Sequence, residues 1–203
     1  MPTLNANNQV SRQASSATAP RSSQWRDGQV VFLKWADSFD DDERRDLLDS
    51  GHLHARATGH PVIILYSTND GSHFIVSTVS AYSSSDSNGN LPPWQQPAHR
   101  RKCQDDFRAF KGSARPNDKH AYLHLAAGQQ WPKPKTSWVF VQRPFLVPAS
   151  VLFRYTKAQG RQLSLTSNSL NDLRQHSWHR SCLPVLKKKL DAINLRRNHN
   201  GHH

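Results

Sequence analysis

The chain has 203 residues, only 35% of them hydrophobic, and 27 Lys and Arg against 15 Asp and Glu give a formal charge of +12. That length fits one domain with part of the chain outside its core, and the charge favours a polyanion or another acidic partner. No stretch approaches the roughly 18 apolar residues of a membrane span, and two cysteines, Cys103 and Cys182, exclude a disulfide scaffold or a four-cysteine zinc site.

Residues 1–24 are rich in Ser, Asn, Ala and Gln and carry no acid, which reads as a disordered tail. No secretory apolar segment follows Met1, and Leu4 and Val10 are too few for an amphipathic presequence. The expected location is intracellular, cytoplasmic or nuclear rather than mitochondrial. Asp27-Gly28 is a turn signal, and 29–35, rich in β-formers, is a predicted strand. Residues 40–48 carry five acids and read as a short helix or a charged loop. After a loop with His52, His54 and Arg56, Pro61 opens a strand over 62–66. Asn69-Asp70-Gly71-Ser72 is a hairpin turn signal, and the return strand runs over 73–80.

Residues 83–136 break this pattern. They open on the linker-like SSSDSNGN, continue through a Pro92-Pro93-Trp94 corner and the run His99-Arg100-Arg101-Lys102, and read as an insertion laid over a smaller fold. Phe107 and Phe110 are expected to anchor a short helix within it. A strand over 138–141 is expected to continue beyond Pro144 as 145–147, and 162–165 is a short strand. Ser167 or Ser169 caps a helix through 176, and a last helix runs over 184–197 with a basic face. The expected domains are a tail (1–24), a barrel domain (25–176) interrupted by the insertion, and a basic C-terminal helix and tail (177–203). Alternation predicts one shared interior for Val30, Phe32, Val62, Ile64, Ile75, Val79, Val139 and Val141.

The order GQVVFLKW, GHPVIIL, HFIVSTVSAY, KTSWVFVQRPFLVPASVL and RQLSLTSNSLNDL resembles the MazF/PemK family of toxin-type endoribonucleases and their eukaryotic relatives. The resemblance covers about 25–82 and 135–176. It implies a mainly β fold, an SH3-like small barrel with a C-terminal helix, and metal-independent cleavage of single-stranded RNA without a cofactor. It also implies a homodimer, on a surface the insertion would cover, and an acidic inhibitor segment across the basic cleft. The family's Ser or Thr at the strand end falls on Ser80, with Thr78 one pleat away. The family's Arg before the Pro-Val strand falls on His60, which is a departure. Imidazole can exchange a proton near neutral pH where guanidinium cannot, and Arg56 could supply the positive charge. His60, Ser80 and Arg56 are therefore the candidate catalytic residues.

Candidate RNA contacts are Thr78, Trp94 as a stacking ring, and a phosphate track of Arg100, Arg101, Lys102 and Lys135. His52, His54 and His73 lack a completing carboxylate or thiol, so no metal is expected. A non-catalytic barrel that binds nucleic acid or protein remains the alternative, as does recruitment of a basic partner by Asp40–Glu43. Hairpin geometry sets the start of the 62–66 strand beside the end of the 73–80 strand, so His60 and Ser80 are expected to meet on one rim.

Overall fold

A computed structural model describes residues 25–99, 101–158 and 160–200, with side chains to residue 196; the expected tail and Arg100 lie outside the described residues. The protein is mainly β. Its strands are β1 (Val30–Leu33), β2 (Pro61–Ser67), β3 (His73–Ser80), β4 (Phe107–Ala109), β5 (Trp138–Phe140), β6 (Phe145–Pro148) and β7 (Leu152–Arg154). All pairings are antiparallel, in the order β4-β5-β3-β2-β1-β7 with β6 also on β3, and the sheet is not closed. The helices are α1 (Asp41–Glu43), α2 (Ser167–Arg180) and α3 (Leu183–Asn200).

Asp40 caps α1 through its carboxylate and Glu43 caps it back, and a single π-helical turn, Arg44–Asp49, continues it. Strands β2 and β3 agree with the expected hairpin, and Asp70 closes its turn by accepting from the Ser72 backbone N–H at 3.0 Å.

Several expectations are corrected. Phe107 opens β4 rather than a helix, and Arg108 pairs with Val139 of β5. The 83–136 segment thus contributes one three-residue strand, Phe107–Ala109, to the edge of the sheet. Residues 145–147 do not prolong the preceding strand. β5 pairs with Val79 and Ser80 and β6 with His73 to Val76, so the two divide one edge of β3. Pro144, lacking an N–H, marks the break between them. Residues 162–165 form only isolated bridges, Gln29 to Ser164 and Leu125 to Leu165. Thr166, not Ser167 or Ser169, caps α2, its hydroxyl accepting from Ser169 N–H at 3.3 Å.

The single shared interior also divides. Val30 lies opposite Ile63 rather than Val62, so the two strands' faces are offset by one residue from the expected pattern. Val30, Ile63, Ile75, Val79, Val139 and Val141 pack under α2 and α3 with Leu173, Leu183 and Leu190. Val31, Val62, Ile64, Phe74 and Val76 pack on the other face beneath Phe39, Leu47 and Leu53. Phe32 is only half-buried. The central run Val62-Ile63-Ile64-Leu65 is fully buried, which contributes about 1.5–3 kcal/mol per side chain and explains why it is continuously apolar. A third cluster, Phe107, Ala109, Trp138 and Phe140, covers the β4 end. No helix among the described residues is long and apolar enough to cross a membrane.

Candidate functional site

The start of β2 and the end of β3 meet. The ladder pairs Val62 with Thr78, and the same register carried one pleat further sets His60 opposite Ser80. Facing residues of an antiparallel pair lie about 4.5–5.5 Å apart at Cα and point to one side. Strand β1 holds the other flank: Leu33 N–H donates to the His60 carbonyl at 2.9 Å and Gly59 N–H to the Leu33 carbonyl at 3.0 Å. Gly59 has φ +71°, and a Cβ there would lie 2.1 Å from the Trp35 ring. Only glycine lets the indole rest on that turn.

Past Ser80 the chain is strained. Tyr82 (φ +51°) and Ser83 (φ +65°) both occupy the left-handed region, which costs on the order of 1–3 kcal/mol each. The Ser80 hydroxyl supports the turn by accepting from Tyr82 N–H at 3.1 Å. Its own hydrogen remains the group that can donate to a ligand oxygen.

Two clefts adjoin at this point, with His60, Ser80, Tyr82 and Ser83 forming the wall they share. The first, of about 860 Å³, is lined by Arg56, His60, Thr78, Ser80, Arg101 and Lys102, all expected from sequence. His99 and Arg143 line it too. Its one carboxylate among the described lining residues is Asp106, whose Oδ1 accepts from Arg180 Nη2 at 2.6 Å and Nε at 3.0 Å. Positive charge therefore exceeds negative charge in the cleft. The second cleft, of about 650 Å³, is lined by the rings of Phe32, Trp35, Trp131 and Tyr155 and by Lys133, Arg154 and Lys157.

Burial lowers the His60 imidazole below its usual 6.5, against a smaller opposing pull from the Arg56 carbonyl. His99 is lowered by burial and by Lys102. Both imidazoles are thus neutral at pH 7 and able to accept a proton. Lys102 is lowered by burial and then by Arg143. Its ammonium lies 4.3 Å from the Phe140 ring centre and 4.6 Å from that of Tyr82, where the ring faces offset part of its lost hydration.

Other expected contacts lie elsewhere. Trp94 is half-buried against Phe107 at 5.6 Å and Trp138 at 6.1 Å, outside both clefts. The proline corner folds the indole back over β4, where it completes the third cluster. Lys135 is exposed and sits 3.9 Å from Asp86, while Lys133 lines the second cleft. Arg115 and Lys119 pair with Asp118 and Asp105. No group of three or more His, Cys, Asp or Glu that could hold a metal occurs among the described residues.

Sequence reading missed His99, Arg143, Trp35 and Tyr155. His99 stood beside the basic run and was visible as a candidate. The others carry no local signal, because only β1, β6 and β7 folding together bring them to the clefts. No protein-family model, curated protein or solved structure matches the chain.

Proposed function

We propose that the protein binds single-stranded RNA in these clefts and cleaves it without a metal, on an SH3-like barrel of the MazF/PemK kind. The observation that carries the reading is that His60 and Ser80 together line a cleft whose cations outnumber its carboxylates. The strand path supports the barrel: β6 pairs with β3, β7 pairs with β1, and one 3-10 turn, Ala149–Val151, joins β6 to β7.

The chemistry follows from the groups. Neutral His60 takes the proton of a ribose 2′-hydroxyl, and the 2′-oxygen attacks the adjacent phosphorus. Ser80 donates to a phosphoryl oxygen, and the Arg56 guanidinium offsets the charge that develops there. The bond from phosphorus to the 5′-oxygen breaks, and that oxygen takes a proton from the Lys102 ammonium, whose lowered pKa suits an acid. The products are a 2′,3′-cyclic phosphate and a 5′-hydroxyl.

Incubation of the purified chain with unstructured RNA in EDTA tests this. Discrete fragments with 2′,3′-cyclic ends are expected. RNA that is retarded but intact would leave a binding module, which the absence of the family Arg at His60 favours.

A further inference from the structure

We infer that the second cleft is a nucleobase pocket, in which one base of the RNA stacks on Trp35 while its phosphate faces His60 and Ser80 across the shared wall. This rests on the RNA reading above and adds the chemical class that its apolar side takes.

Several observations converge. Trp35 is 58% exposed, an unusual position for an indole with no covering element, and its ring is not loose. Its edge meets Phe32 at 6.1 Å and 62°, and the turn at Gly59 supports it from beneath. In the same lining, Trp131 and Tyr155 run nearly parallel, 6.0 Å apart at 21°, and Trp131 stacks on Phe110 at 4.3 Å. Trp131 Nε1–H donates to the Ser137 hydroxyl, so that ring is oriented. A held aromatic floor with one exposed aromatic wall suits a planar ring that enters from solvent.

Charge decides what kind of ring enters. A cage of Phe, Trp and Tyr can also take a methylated ammonium. Such a cation would meet Lys133, Arg154 and Lys157 at the rim, and no carboxylate lines the cleft among the described residues. The same cations suit a base that arrives with phosphates on either side. The shared wall fixes the geometry: a nucleotide spanning it has its base among the rings and its 3′-phosphate on the His60 side.

Two uncleavable 2′-O-methyl hexanucleotides test the pocket, one complete and one abasic throughout, with equal charge. The full-length protein should bind the complete strand about tenfold or more tightly than the abasic one. Trp35→Ala should erase that preference while leaving abasic affinity within twofold, and Trp35→Phe should restore most of it. An unchanged thermal melt shows that the exposed indole is not needed for folding. Gly59→Ala, which must push the indole aside, should mimic Trp35→Ala. Equal binding of the two strands, or an unaltered preference in Trp35→Ala, overturns the base pocket and leaves the RNA reading standing. Binding of neither strand overturns both. Binding of a trimethyl-lysine peptide that Trp35→Ala abolishes assigns the cleft to a cation instead.

Discussion

Two places in this molecule gather charge, and they do opposite things with it. The first is the basic cleft at His60 and Ser80. The second lies between β4 and α2, where Arg108, only 1% exposed, pairs with Asp172 and donates to the Ala121 carbonyl at 2.9 Å. His176 is buried there, stacked on His120 at 4.0 Å between ring centres. Asp172, His176 and Arg180 recur every fourth residue, so they share one face of α2, and Arg180 reaches Asp106. In this cluster carboxylates answer the guanidinium groups, and the result ties the 83–136 segment to α2. In the cleft Arg56, Arg101, Lys102 and Arg143 share one carboxylate that Arg180 already engages. Charge that is matched inside the protein holds the fold, and charge left in excess at a cleft is available to a ligand.

Removing a matched partner should be the costlier change. Asp172→Ala leaves the Arg108 charge buried and uncompensated and should lower stability by about 3–5 kcal/mol, read from urea denaturation. His60→Ala should cost less than about 1 kcal/mol in the same assay. Similar losses at the two sites would break the comparison.

Acid should act first on the buried cluster. His176 is pushed down to about 4 by burial and by His120, Arg108 and Arg180, against a weak pull from the Asp105 carbonyl. The unfolded imidazole titrates near 6.5, so between about pH 6.5 and 4 the unfolded chain binds the extra proton and stability falls as pH falls. The full loss is up to about 3 kcal/mol. His120, lowered mainly by burial, acts in the same direction. His176→Phe should flatten the slope of urea midpoint against pH in that window, and an unchanged slope would remove His176 as its source.

At the cleft the effects should be on function. His60→Ala and Ser80→Ala should each reduce RNA cleavage at least tenfold, about 1.4 kcal/mol of transition-state stabilisation, with RNA affinity within twofold. Loss of affinity in step with rate would make both residues binding groups only. The smallest expected effect belongs to Arg101→Ala. It should weaken binding modestly and reduce the slope of log affinity against log salt by about 0.7, one single-strand phosphate contact. No change in that slope would take Arg101 off the phosphate path.

That His60 and Ser80 share one rim was readable from sequence, because a hairpin brings the start of its first strand to the end of its second. The strands 61–67 and 73–80 were readable for the same reason. Asp70-Gly71 sets the turn, but the exact pairing of the strand ends was not readable, because the register shifts by one residue between Ile64 and Tyr66 and only that irregularity sets Val62 on Thr78. Trp94 was misread because its proline-rich, polar neighbours suggest exposure. Its burial comes from β4, some thirteen residues further on, which local composition read as a helix.

The sequence by itself thus determined the mainly β character, the central hairpin, the two C-terminal helices and the basic rim, all of which rest on contacts within a few residues or on summed charge. Only the tertiary structure decided that β4 enters the sheet, that β5 and β6 share one edge of β3, and that Trp35, Trp131 and Tyr155 converge on one cleft. Those strand pairings join residues about 30 to 75 positions apart, and Trp35 lies about a hundred positions from the other two rings. Their stability comes from burying both faces of β2 and β3 at once; the unbroken apolar run Val62–Leu65 signals that burial, but no local pattern of residues says which distant elements provide it.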